Sequence, residues 1–221
     1  MFYKRIRYSV CMRYIDIHSH INLAPLKDEQ DVVIFRMREE GIATITVGVD
    51  FETSREAIEL AERSPDILWA TVGLHPTDNL SESFTYDAYL DLAKHEKVVA
   101  IGECGLDYYR NQDAEMKEKQ RTLFLEHIKL AQTVTKPLMI HARPSKGAMD
   151  AYEDVLNILE SMENPPRANF HFFVGDVTIA QRILKIGGTM SFDGPITFTE
   201  DYNEVIQYIP LESLHSETDA P

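Results

Sequence analysis

The sequence has few cysteines, few cations and no long apolar run. Cys11 and Cys104 are its only cysteines, too few for a disulfide framework, which favours a reducing, cytoplasmic setting. No apolar segment approaches the roughly 20 residues that cross a bilayer, so we expect no membrane association. Lys plus Arg number 22 against 36 for Asp plus Glu, a formal charge of −14. Such a chain has little cationic surface for coating nucleic acid, although a local cationic site remains compatible with it.

Two signatures of nucleotide-binding open sheets are also missing, because the sequence contains neither G-x-G-x-x-G nor G-x-x-x-x-G-K-[ST]. Instead, short runs rich in Val, Ile and aromatic residues alternate with helix-like segments. The candidate strands are 14–18, 43–49, 67–73, 98–103, 137–141, 167–172, 188–192 and 213–218. Eight such units predict an α/β protein, and they favour a closed (β/α)8 TIM barrel over an open sheet.

Several helix ends are visible in the sequence. Gly41 is a candidate C-cap of the first helix, and Thr53 or Ser54 is a candidate N-cap of the second. The segment 113–134 places apolar residues at helical spacing. These signals support helices between the predicted strands.

The two ends of the sequence depart from this alternation. Residues 1–11 are basic but lack the apolar stretch of a signal peptide, and we interpret them as a disordered or over-extended arm, with Met12 as an alternative start. We expect residues 12–221 to form a single TIM-barrel domain. Because the eighth predicted strand ends close to Pro221, we expect the last helix of the barrel to be missing and the chain to be truncated at its C-terminus.

Residues of the metal-binding type follow the predicted strands at their C-terminal ends, where barrels of this class build their sites. His18 and His20 are two residues apart on strand one and therefore face the same side. Four other strands supply one residue each, namely Glu103, His141, His171 and Asp219. A lone histidine on an apolar strand is more often a hydrogen-bonded core residue. Six such groups in register are costly to bury without a cation, and they favour two divalent ions about 3.5–4 Å apart.

Six stretches of the chain carry a family resemblance. They are YIDIHSH at 14–20, GLHP at 73–76, IGECGLDYY at 101–109, IHAR at 140–143, HFFVG at 171–175 and ETDAP at 217–221. In this order they resemble the TatD-type metal-dependent hydrolases, a branch of the amidohydrolase-like TIM barrels, over nearly the whole chain. The resemblance implies a deoxyribonuclease of the exonuclease type that hydrolyses phosphodiester bonds with a water activated by two metal ions.

The resemblance also implies roles for individual residues. It implies two metal positions, one at His18, His20 and Asp219 and the other at His141 and His171, with Glu103 bridging them. Asp219 and Glu103 would be the catalytic carboxylates, with Asp219 accepting the proton of the attacking water. Arg143 and His75 are candidates for binding the substrate phosphate. The alternatives are an ion pair with a rim carboxylate for Arg143 and the capping of a turn for His75.

Metal identity stays open between Mg, Mn and Zn, because imidazole ligands favour Zn or Mn whereas the resemblance points to Mg. The negative field favours short single-stranded DNA or nucleic-acid ends over long duplex. We predict no obligate protein partner. Two other functions remain open, namely an amidohydrolase-like enzyme cleaving C–N or ester bonds, such as an aminoacyl ester, and an inactive truncated fragment.

The remaining polar residues have structural interpretations. We expect His95 and His127 to lie on helices, at the surface or at an interface, and Cys104 to be a packed thiol without a neighbouring base. Residues 107–109 either line the pocket, where the tyrosines would stack on bases, or pack the rim.

Overall fold

The computed structural model of the chain describes residues 12–77 and 83–221, so the predicted arm at 1–11 lies outside the described residues. Eight parallel strands form one sheet in sequence order. They are β1 (Tyr14–Ser19), β2 (Ile42–Val47), β3 (Leu68–Val72), β4 (Val98–Asp107), β5 (Leu138–Arg143), β6 (Ala168–Phe170), β7 (Thr189–Phe192) and β8 (Leu214–Ser216). This order confirms the predicted TIM-barrel class.

An α-helix follows each of the first seven strands. These helices are α1 (Gln30–Glu40), α2 (Phe51–Arg63), α3 (Tyr86–Ala93), α4 (Ala114–Val134), α5 (Asp150–Glu160), α6 (Val177–Lys185) and α7 (Asn203–Tyr208). Short 3-10 helices lie at Leu26–Glu29, Gly194–Thr197 and Leu211–Ser213. Residues 217–221, which follow β8, form no helix. Within the described ranges, no helix has the length and apolar character needed to cross a bilayer.

Two helix ends show how local chemistry sets the boundaries. Gly41 ends α1 in the left-handed region at φ 70°, where glycine has no steric penalty, so the predicted C-cap is confirmed. The predicted N-cap of α2 is wrong, because the cap is Asp50. Its carboxylate accepts the Thr53 N–H at 2.7 Å, and the Thr53 hydroxyl accepts the Asp50 N–H at 3.0 Å. Thr53 therefore lies inside the helix as the second half of a capping box.

The apolar core lies between the strands and the surrounding helices. Phe124 of α4, Tyr152 of α5 and Ile183 of α6 are completely buried, as are Ile101 and Ile140 of the sheet. Burying one large apolar side chain of this kind stabilises a fold by about 1.5–3 kcal/mol. The core thereby fixes the strands whose carboxyl ends carry the polar residues described next.

The first and last strands meet through individual hydrogen bonds. Among the described residues, no strand ladder joins β8 to β1. The Thr218 N–H and hydroxyl donate to the Asp16 carboxylate at 3.1 and 2.7 Å. The Asp219 N–H donates to the His18 carbonyl at 3.0 Å, and the His20 N–H to the Ala220 carbonyl at 2.5 Å. This seam places Asp219 beside the end of β1.

Candidate metal centre

The structure brings the six predicted ligands together at the carboxyl end of the barrel, with Glu103 at the centre. One oxygen of Glu103, Oε2, lies 3.6 Å from His18 Nε2 and 3.5 Å from His20 Nε2. The other, Oε1, lies 2.8 Å from both His141 Nδ1 and His171 Nε2. The two oxygens of one carboxylate therefore face two separate groups of imidazoles. That these residues bind metal remains a prediction.

The first group contains His18, His20, Asp219 and one oxygen of Glu103. Asp219 Oδ1 lies 3.4 Å from His18 Nε2 and 3.3 Å from His20 Nε2, and the two imidazole nitrogens are 3.1 Å apart. Two ligands at about 2.1 Å from one tetrahedral ion are about 3.4 Å apart. The donor spacings therefore fit a single cation, and His18, His20 and Glu103 form one of the ligand groups compatible with a metal ion.

The second group contains the other oxygen of Glu103 with His141 and His171, whose facing nitrogens are 3.4 Å apart. His75, which we predicted as a substrate contact, lies in this group, because its Nε2 is 3.5 Å from Glu103 Oε1. His75, Glu103 and His141 form another ligand group compatible with a metal ion. The position of His75 thus suits a fourth donor as well as a substrate contact.

Contacts behind the imidazoles orient them. His20 Nδ1 lies 3.1 Å from the Val47 carbonyl. When Nδ1 donates a hydrogen bond to this carbonyl, Nε2 is the nitrogen that faces the cluster. His141 Nε2 lies 3.1 Å from the Asp107 carboxylate. Such outer contacts set the tautomer and ring orientation of metal-binding histidines. Asp107 is completely buried behind His141, so it belongs to the site and is not a rim residue.

Burial and charge act in opposite directions on the titratable groups. Burial alone would raise the pKa of Glu103, but His171, His75 and His141 hold that pKa well below its ordinary value. Burial would lower the pKa of His171, yet the facing Glu103 carboxylate raises it well above the usual range. Burial and the neighbouring His171 lower the pKa of His18. Since ligating imidazoles must be neutral, cation binding would release the proton held by His171.

The cluster opens into a cavity of about 390 Å³. Leu23, Val49, Phe172 and Val174 form apolar parts of its wall, and Arg110 and Arg143 are its cationic lining residues. The Arg143 guanidinium lies 4.3 Å from the centre of the Tyr109 ring and forms no ion pair within the described residues. The predicted alternative for Arg143, pairing with a rim carboxylate, is therefore not what the described part of the chain shows.

Comparison with known proteins places this geometry in a family. The sequence profile described as "TatD related DNase" matches residues 15–221. The chain belongs to this TatD family. The uncharacterized metal-dependent hydrolase YabD of Bacillus subtilis is 36% identical over 211 residues, which cover 93% of this chain and 79% of YabD. Membership makes this chain a hydrolase of the metal-dependent class.

Two further relatives extend the comparison. A protein of Musicola paradisiaca named 3'-5' ssDNA/RNA exonuclease TatD is 31% identical over 214 residues, covering 93% of this chain and 77% of that protein. The crystal structure of YjjV, a TatD homologue from Escherichia coli, superposes with a TM-score of 0.81 at 29% identity. That superposition covers 96% of this chain and 80% of YjjV, so the fold is the family's throughout the described barrel.

Glu217 is a site residue of this TatD-family chain that the sequence reasoning did not select. Its carboxylate accepts the Phe172 N–H and the Ser191 hydroxyl, both at 2.5 Å. With His18 and His171 it forms a further ligand-type group at the floor of the cluster. The sequence does contain a signal for Glu217, because Glu217 and Asp219 have the same two-residue spacing on a strand by which His18 and His20 were selected.

His127 was predicted at the surface or at an interface, and the structure excludes the surface position. It is completely buried, its Nε2 accepts the Leu74 N–H at 2.9 Å, and its Nδ1 donates to the Leu123 carbonyl at 2.8 Å. The imidazole thus ties α4 to the loop that carries His75. His95 does lie near the surface, with its Nε2 3.1 Å from Glu62. Cys104 is a buried free thiol whose pKa is raised by burial, as expected of a packed residue.

The pKa of His127 predicts a specific pH dependence of stability. Burial lowers this pKa to about 4, whereas the unfolded value is about 6.5. Below pH 6.5 the unfolded chain binds a proton that the folded protein does not, so stability falls as pH falls toward 4. His127→Gln, which cannot titrate, should lose about 2 kcal/mol less free energy of unfolding between pH 7 and pH 5 than the wild type does. Urea unfolding at the two pH values measures this, and equal losses in both proteins would contradict it.

Proposed function

We propose that this TatD-family hydrolase is a nuclease that removes nucleotides from the ends of single-stranded DNA with two divalent cations. The observation that carries the proposal is the position of Glu103, whose two oxygens face two separate imidazole groups. Relatives named 3'-5' ssDNA/RNA exonuclease TatD support the substrate class and suggest action from the 3′ end. The low cysteine content supports a cytoplasmic setting.

The donor set fits two cations. His18, His20 and Asp219 would hold one, His141 and His171 the other, and Glu103 would bind both. Imidazole and carboxylate donors suit Zn or Mn and are compatible with Mg. Bound divalent ions lower the pKa of water and polarise phosphoryl oxygens. The Glu103 carboxylate is 4% exposed and lies against imidazoles of both groups, and such a buried charge supports a cationic occupant.

We propose that Asp219 accepts the proton of the attacking water. Its side chain lines the cavity and is 32% exposed, and only Oδ1 faces His18 and His20. Burial would raise the pKa of Asp219, but the hydrogen bond from His20 and the nearby His18 and His171 lower it, so the carboxylate is charged at neutral pH. The water oxygen bonds to phosphorus, the bond from phosphorus to the leaving oxygen breaks, and that oxygen takes up a proton.

Arg143 and His75 are proposed to bind the substrate phosphate. Both side chains line the cavity that contains Glu103 and Asp219. Arg143 presents a planar cationic fork that suits phosphate oxygens. In a chain of net charge −14, this local cation and the two metal ions supply the positive field that an anionic substrate needs.

The test combines elemental analysis with a nuclease assay. We expect the purified protein to contain close to two divalent ions per chain and, with added Mg or Mn, to shorten 5′-labelled single-stranded DNA stepwise by removing mononucleotides from its 3′ end. EDTA should abolish release, and replacing the ion should restore it. No release with Mg, Mn or Zn, together with turnover of an aminoacyl or other small ester, would overturn the proposal in favour of the amidohydrolase-like alternative. No turnover of any substrate would favour the inactive fragment.

A further inference from the structure

A cationic side chain and an exposed aromatic ring lie side by side near the mouth of the cavity that contains the candidate metal centre. Tyr109 follows the end of β4 and is 49% exposed. The Arg143 guanidinium stacks against its ring at 4.3 Å from the centroid. We call these two side chains the Tyr109–Arg143 platform. Its charge is not cancelled by a carboxylate, because Arg143 has no ion pair within residues 12–77 and 83–221.

The platform lies farther out than the metal centre on the same two strands. Asp107 of β4 pairs in register with Arg143 of β5, and Gly105 with His141. Arg143 follows His141 by two residues, so its side chain leaves the same face of β5 about 6.6 Å nearer the mouth. A strand whose terminal phosphodiester reaches Glu103 and Asp219 can therefore leave the cavity over the platform.

Arg110 extends this surface. It lines the same cavity, and its side chain is 48% exposed. Among its contacts, one guanidinium nitrogen lies 3.3 Å from the Thr77 hydroxyl and 3.7 Å from the buried Asp107 carboxylate. Asp107 in turn contacts His141 at 3.1 Å, so the guanidinium is tied to the metal centre through a single side chain.

We propose that the Tyr109–Arg143 platform and Arg110 form a second nucleotide subsite, which binds the nucleotide next to the scissile phosphodiester bond. Tyr109 stacks on the base of that nucleotide, Arg110 binds its 5′ phosphate, and Arg143 lies between this subsite and the scissile phosphate that it binds. This inference rests on the proposed nuclease function and deepens it, because it makes the substrate a nucleic-acid strand of at least two nucleotides. Stacking of one base on an aromatic side chain corresponds to roughly 5- to 140-fold in binding.

Three small substrates separate the parts of this subsite. Thymidine 5′-(methyl phosphate) has the terminal nucleotide without a second base, TpT adds the second nucleoside, and pTpT adds its 5′ phosphate. With Mn and the full chain, we expect kcat/KM to rise from the methyl ester to TpT and again to pTpT. Tyr109→Ala should lower the TpT-to-ester ratio of kcat/KM at least fivefold, whereas Tyr109→Phe, which keeps the ring, should retain it within about twofold.

Arg110→Gln should lower the pTpT-to-TpT ratio and leave the TpT-to-ester ratio within about twofold. Arg55→Gln is the matched control, because Arg55 is exposed on α2 and, within the part of the chain that the structure describes, its ion pairs are with Glu52 and Glu59 of its own helix. Equal ratios in the Tyr109→Ala and Tyr109→Phe proteins, or a wild type that hydrolyses the ester and pTpT equally well, would overturn the second subsite while leaving the nuclease intact. Failure of the wild type to hydrolyse any of the three would overturn the nuclease function itself.

Discussion

Glu103→Gln should reduce kcat/KM for single-stranded DNA by well over 100-fold and loosen both cations. The amide has one neutral oxygen where the carboxylate presents two charged ones, and each of those oxygens faces a different imidazole group. Even contacts behind metal ligands are worth roughly 10- to 100-fold in affinity or activity, so a ligand shared by two ions should be worth more. The measurement is kcat/KM together with the metal content of the same preparation.

Two controls accompany this variant. Glu62→Gln changes an exposed glutamate whose described partner is His95, and His95→Ala changes that partner. Both proteins should keep wild-type activity and metal content, because neither residue contacts the cluster. Full activity with full metal content in the Glu103→Gln protein would show that Glu103 does not bridge two ions.

Asp219→Asn should lower kcat by about 100- to 10,000-fold, the usual contribution of a general base. Its metal content should fall less than that of Glu103→Gln, because His18, His20 and Glu103 remain around the first position. The comparison of the two variants thus separates proton transfer from metal binding. Single-turnover rates at saturating Mn measure the first, and elemental analysis measures the second.

Asp91→Asn is the matched control for Asp219→Asn. Asp91 is 80% exposed on α3 and contacts Lys94 of the same helix. An Asp219→Asn protein that turns over DNA as fast as the Asp91→Asn protein would remove Asp219 from the reaction.

The barrel could be predicted because alternation of apolar strands and amphipathic helices is a local property of the sequence. The ends of the strands were harder to predict. β4 was predicted to end at 103, and it continues to Asp107. The run GECGLD contains two glycines and two acids, which locally resembles a strand end, yet pairing with β5 extends it. Pairing in the sheet therefore overrode the local strand propensity. Because β4 was predicted to end too early, the contact between Asp107 and His141 was not predicted.

The six proposed ligands could be proposed from the sequence because each lies in or directly after the carboxyl-terminal part of a strand, at the same end of the barrel. Glu217 and His127 were not selected, for two different reasons. Glu217 was not selected because the family resemblance assigned the role of metal ligand on this strand to Asp219, two residues later. His127 lies on a charged helix, and only the position of that helix against the loop at Leu74 shows that the imidazole is buried. Such residues act through tertiary contacts, which spacing along one element does not reveal.

A cation bound at the first of the two proposed positions would also join β1 to β8. His18 and Asp219 come from opposite ends of the barrel sequence, and their side chains meet at 3.4 Å where the strands are joined by separate hydrogen bonds. An ion bound by both residues would link β1 to β8, between which the described residues form no strand ladder. Ligands that bind only the native state stabilise it. Metal occupancy would therefore also influence how often the barrel opens between β1 and β8.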